Sequence, residues 1–66
     1  MGYYSFDDFY TVQEVALSLR LSVLTIYKYI KDGSLEASEF GGHYRVSQES
    51  LRDFIEVHKV EVKEDE

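Results

Sequence analysis

Only Arg20, Leu21 and Ser22 stand between two stretches whose apolar residues repeat with the period of an α-helix, and that short spacing is the tightest constraint on the fold. Thr11 and Glu14 have the spacing of a capping box, and Val12, Val15, Ala16 and Leu19 then recur at i, i+3, i+4 and i+7. This predicts a helix over about 12–19. Ser22 supplies a second cap, Val23, Ile26 and Ile30 a second apolar stripe, and Gly33 the left-handed residue that commonly ends a helix. The second helix is therefore expected over about 23–32. With so little chain between them, the two helices cannot lie flat and antiparallel and must cross at a steep angle.

Downstream, the residues 35–40 and 43–46 flank Gly41-Gly42, a pair that tolerates the positive φ values of a two-residue hairpin turn. Ser47 repeats the capping pattern before Leu51, Phe54 and Ile55, which predicts a third helix ending near Val57. The fold class is thus mainly α with a small β-hairpin: a helix-turn-helix, a two-stranded wing and a third helix. A flanking segment, 1–9, precedes the domain at 10–57, and an acidic tail expected to be flexible occupies 58–66.

At 66 residues the chain can support one core, and 44% hydrophobic residues are enough to fill it. Cysteine is absent, so apolar packing has to hold the fold without disulfides or a thiolate metal site. The N-terminus lacks the basic and apolar regions of a signal peptide, and no apolar run approaches the ~20 residues of a membrane span. A cytoplasmic protein with no membrane contact is expected. The formal charge of −6 excludes a broadly basic protein but leaves room for a local cationic face. Much of the acidity lies outside the domain, in Asp7 and Asp8 and in Glu61, Glu64, Asp65 and Glu66.

From Tyr10 to Ile55 the chain resembles the excisionase-like, MerR-type winged helix-turn-helix family. The pattern is Y-T-V-Q-E-V-A-x-x-L, L-S-V-L-T-I-Y-K-Y-I-K-D-G-S-L, F-G-G-H-Y-R-V and S-x-E-S-L-x-x-F-I, in that order and spacing. The resemblance implies a double-stranded DNA-binding protein of transcription regulation or recombination. Its second helix would enter the major groove, and its wing, 35–46, would meet the adjacent minor groove or backbone. This chain departs from the family pattern by holding Val23, Leu24, Glu39 and His43 where arginine or other polar residues are common, and Arg20 where the turn usually has glycine.

A rotation of 100° per residue, with Ile26 and Ile30 facing inward, turns Leu24, Thr25, Lys28 and Lys31 outward and sets Tyr27 on a flank. Thr25 suits a base edge or phosphate, Leu24 a thymine methyl, and Lys28 and Lys31 phosphate or guanine. Ser22, Leu24, Thr25, Tyr27, Lys28, Lys31, His43 and Arg45 are the candidate DNA-binding residues. A plain solvated helix face is the competing reading of the α-helical members. On the wing, strand alternation puts Tyr44 and Val46 toward the helices and His43 and Arg45 away from them. Arg45 there faces two readings, a phosphate or minor-groove contact and an ion pair with Glu36 or Glu39.

Nothing nominates catalysis, a cofactor or a metal: Asp7-Asp8, His43 and His58 have no nucleophile or ligand partners, and Gly41-Gly42 lacks the spacing of a phosphate loop. The rival function is a protein-interaction module that keeps the fold without DNA. Tyr3, Tyr4, Phe6 and Phe9 could pack on the domain, pair two copies or bind a protein partner. Packing is favoured by Phe9 and Tyr10, which precede the Thr11 cap as a hydrophobic staple does. Binding to DNA through other copies on adjacent sites is a further expectation.

Overall fold

A computed structural model describes residues 8–60. The elements run β1 (Phe9–Thr11), α1 (Val12–Leu19), α2 (Val23–Lys31), β2 (Ser38–Phe40), β3 (His43–Ser47) and α3 (Gln48–Val57). The aromatics Tyr3, Tyr4 and Phe6 and the end of the acidic tail lie outside the described residues.

All three predicted caps form. Thr11 Oγ1 accepts from the Glu14 N–H at 3.0 Å while Glu14 Oε1 accepts from the Thr11 N–H at 2.9 Å, the reciprocal pair of a capping box. Ser22 and Ser47 accept from the N–H of Thr25 and Ser50 in the same way, at 3.1 and 3.0 Å. Between α1 and α2 the chain reverses through Arg20, at φ 60° and ψ 43°. The Arg20 N–H donates to Leu17 O and the Leu21 N–H to Ala16 O, so a glycine-type helix stop is made by an arginine.

The wing is broader than a hairpin. β1, unforeseen in the sequence, pairs with β3 and gives a three-stranded antiparallel sheet in the order β1-β3-β2. Phe9 faces Ser47, Tyr10 faces Val46 and Thr11 faces Arg45. Phe9 and Tyr10 are therefore sheet residues where a staple was expected. The cause is local: the Thr11 cap is itself extended, at φ −79° and ψ 164°, so the preceding backbone runs on as a strand and finds an edge of β3.

The first wing strand is also shorter than the expected 35–40. Leu35 is withdrawn from it: its N–H donates to Tyr29 O at 3.1 Å, past the turn at Gly33, and its side chain drops into the core. The second helix stops at Lys31, one residue short of the expected end, with Asp32 as its cap.

Val15, Ile26, Leu35 and Val46 are the largest fully buried side chains, joined in the core by Val12, Ala16, Leu51 and Phe54. Leu19, Val23 and Ile30 pack around this centre only partly buried. Ile55, expected on the apolar stripe of α3, remains 49% exposed because Leu51 and Phe54 take the inward positions. An aromatic stack fastens α3 to α2: Phe54 lies 5.0 Å from Tyr29 and 4.1 Å from His58, ring centre to ring centre.

Two stability tests follow from this packing. Arg20→Gly should stabilise the domain by about 1 kcal/mol, because glycine adopts the left-handed region without the Cβ penalty. Thermal unfolding checks this, and an unchanged or lowered midpoint would show that the arginine side chain contributes more than its backbone costs. Leu35→Ala should cost about 2–5 kcal/mol, the range for truncating a buried leucine, and chemical denaturation at low temperature measures it.

Candidate nucleic-acid interface

The outward face of α2 has the predicted composition. Leu24 is 78% exposed, and Lys28 and Lys31 are exposed along the same helix. Neither lysine forms an ion pair among the described residues, whose salt bridge is Lys59 Nζ to Glu56 Oε2 at 3.9 Å. Both lysines sit in the last turn of α2, where they also oppose the negative end of the helix dipole. Asp32 follows immediately. Its carboxylate is held below the usual range by the Ser34 hydroxyl and backbone N–H, with Lys28 adding a smaller attraction. The stabilisation this brings is present above the ordinary carboxylate pKa and is lost as the pH falls through the lowered value.

Ser22 and Thr25 are partly committed to the helix start. Ser22 Oγ accepts from the Thr25 N–H and lies 2.9 Å from Thr25 Oγ1. One hydroxyl proton of the pair is used in that bond, which leaves one for an outside acceptor. Thr25 is half-buried, so its outward position is less open than the helical rotation predicts.

Tyr27 does more than flank the helix. Its ring centre lies 5.9 Å from that of Tyr44 on β3, with the planes tilted by 57°, and this contact ties the helix to the wing. As predicted, Val46 faces inward and is fully buried, with Tyr44 packed against the core beside it. His43 is exposed next to the Gly41-Gly42 turn, whose φ values are 57° and 84°. These two positive values are what a primed hairpin turn requires.

Arg45 is half-buried, and its Nη1 donates to Tyr44 O at 3.0 Å. Of the two readings of Arg45, the ion pair with Glu36 or Glu39 does not form among the described residues, and for Glu39 the strand register gives the reason. Ser38 stands opposite Arg45, while Glu39 stands opposite Tyr44 and so points to the other side of the sheet. Arg45 instead edges a polar groove of about 130 Å³ with Gln13, Tyr27, Gly42, His43 and Tyr44.

The structure thus joins Tyr27, His43 and Arg45 at one groove and leaves Leu24, Lys28 and Lys31 along the exposed helix. Gln13 was missed in the sequence. It is exposed in the first turn of α1, and its amide could have been noticed as the polar residue beside a cap, but only the docking of the wing brings it to this groove. No helix of the described residues is long and apolar enough to cross a membrane.

Comparison with known proteins agrees with this architecture. A family model described as "Helix-turn-helix domain" matches residues 9–58. "Uncharacterized protein YvgK" of Bacillus subtilis is 44% identical over 45 residues, which cover 68% of this chain and 15% of that protein. "Putative DNA-binding protein Rv0500A" of Mycobacterium tuberculosis is 37% identical over 46 residues, covering 70% of this chain and 59% of that protein. The chain thus spans less than two thirds of the length of either relative. No solved structure matches.

The tyrosine contact can be measured on its own. A double-mutant cycle of Tyr27→Ala and Tyr44→Ala in thermal or chemical unfolding should give a coupling of about 0.5–1.5 kcal/mol, as for other tilted aromatic pairs. Additive single effects would mean that the two rings do not hold the wing to α2.

Proposed function

This chain belongs to the helix-turn-helix domain family, and from that premise we propose that it binds duplex DNA, with α2 in the major groove and the wing on the adjacent minor groove or backbone. The reading is supported above all by one observation: Lys28 and Lys31, exposed on α2 and without a salt bridge among the described residues, are linked through Tyr27 and Tyr44 to the wing that carries His43 and Arg45. A helix of nine residues is about 13 Å long, close to the ~12 Å width of the major groove. The Val23 and Leu24 N–H groups at its start remain available to a phosphate, since Ser22 takes that of Thr25.

Chemical roles divide along the same line. Lys28, Lys31 and Arg45 supply phosphate attraction, Leu24 offers an apolar contact to a thymine methyl, and the hydroxyl left over from the Ser22–Thr25 pair serves a base edge or backbone oxygen. Gln13, at the groove beside Arg45, adds a neutral amide for the backbone. The setting is excisionase-like or MerR-like, in transcription regulation or recombination. The protein acts there without catalysing a reaction. With few cations on the face and a formal charge of −6, a single copy binds weakly, and tight binding takes copies on adjacent sites.

Fluorescence anisotropy of a labelled duplex at two salt concentrations tests this. Three phosphate contacts give a slope of roughly −3 in log affinity against log salt, and Lys28→Ala or Arg45→Ala should each weaken binding and flatten the slope by about 0.9. No binding at low salt, or unchanged affinity in both variants, would sink the groove-docking reading. A titration that rises in steps with the number of sites on the duplex supports the multicopy part, and independent filling of each site refutes it.

A further inference from the structure

The outer side of the sheet carries a second feature, unrelated in chemistry to the cationic helix. Register and alternation put Phe9 and Phe40 on the side facing away from Tyr10, Val46 and the core. Their rings meet edge to face, with centres 5.9 Å apart. Phe40 is nevertheless 56% exposed, at the end of an edge strand that pairs with β3 alone. Together with Ala37 these rings form the apolar part of a cleft of about 810 Å³, rimmed by Asp8, Glu36 and Glu49. No lysine or arginine is among its described lining residues.

This combination selects an occupant. Carboxylates around a half-open aromatic surface repel nucleic acid phosphates, which distinguishes the lining of the cleft from His43 and Arg45, although alternation along β3 puts those two on the same side of the sheet as Phe40. The carboxylates favour ammonium or guanidinium groups, and such a cation can also lie over the exposed Phe40 ring. The neighbouring strand β2 leaves its backbone groups on the side away from β3 without a sheet partner among the described residues, as an added extended segment requires. The Ser50 N–H at the start of α3 is occupied by Ser47, and Glu49 in that first turn offsets the positive end of the helix.

The geometry points to a protein-docking cleft on the sheet's outer face. Its occupant is an extended, cationic segment of a partner protein, in which basic side chains meet Glu36 and Glu49 and an apolar one covers Phe40. The cleft lets one small domain hold DNA on α2 and the tip of the wing while recruiting a basic segment between the outer sheet face and the start of α3. The inference does not rest on the DNA reading, because the peptide titration that tests it needs no DNA.

Backbone NMR of the full chain, titrated with a short peptide alternating lysine and leucine, tests it. Shifts should concentrate at 36–40 and 47–50, and a counterpart peptide with glutamate for lysine should produce none. Phe40→Ala should weaken the lysine peptide about tenfold, as loss of a central aromatic anchor does. Glu36→Gln with Glu49→Gln should weaken it to a similar degree and remove most of its salt dependence. Shifts spread evenly over the acidic surface, or unchanged peptide affinity in both variants, would overturn the proposal. So would duplex DNA moving the resonances of 47–50, outside the wing, which would assign the cleft to nucleic acid. Sedimentation of the free protein as a dimer that Phe40→Ala dissociates would give the face to a second copy. Nuclear Overhauser contacts from Phe40 to Tyr3, Tyr4 or Phe6 would give it to the chain's own N-terminal residues.

Discussion

Val15, Ile26, Leu35 and Val46 lose contact with water altogether, and each comes from a different part of the chain: α1, α2, the loop that follows it, and β3. With neither disulfide nor thiolate metal site, the burial of such side chains is the main force holding these parts in one arrangement. Each contributes about 1.5–3 kcal/mol on transfer from water, and most of that total is consumed by the conformational entropy of ordering the chain. The relation between helix and wing therefore depends on a few contacts. Removing any of the four loosens the whole interface rather than one element, because all four belong to the same core cluster.

The polar chemistry is arranged around that centre in two contrasting regions. On α2 and the wing, exposed lysines and a half-buried arginine stand without intramolecular carboxylate partners among the described residues. In the cleft on the outer sheet face, carboxylates rim an exposed aromatic ring, and no lysine or arginine is among the described lining residues. A net charge of −6 averages over these regions and so says little about either. The same strand joins them: β3 sends Tyr44 and Val46 to the core side, and on the other side its His43 and Arg45 share the sheet face with Phe9 and Phe40.

Much of the fold was legible before any coordinates. The caps at Thr11, Ser22 and Ser47, the apolar repeat of α1 and the Gly41-Gly42 turn all act within a few residues, so their signals survive in a one-dimensional reading. Arg20 was likewise legible as a left-handed residue at a turn that usually has glycine. Strand β1 escaped notice because three residues carry too little alternation to reveal a strand, and its partner lies more than thirty positions away. Leu35 was misassigned to the wing because nothing local distinguishes a strand leucine from one that drops into a core between helices. The candidate interface divides in the same manner: the outward face of α2 follows from helical periodicity, whereas Gln13 joins Arg45 only when the wing docks.

Capping chemistry, helical period and the three-residue spacing thus determined by themselves that this chain makes two helices across a short turn, a Gly-Gly turn and a third helix, since each depends on neighbours in the chain. Tertiary structure alone decided that the wing has a third strand, that Arg45 faces Ser38 instead of a glutamate, and that Phe9 meets Phe40 to floor an acidic cleft. Those outcomes rest on strand register, and register is chosen by which side chains the shared core can bury, a property of distant residues acting together.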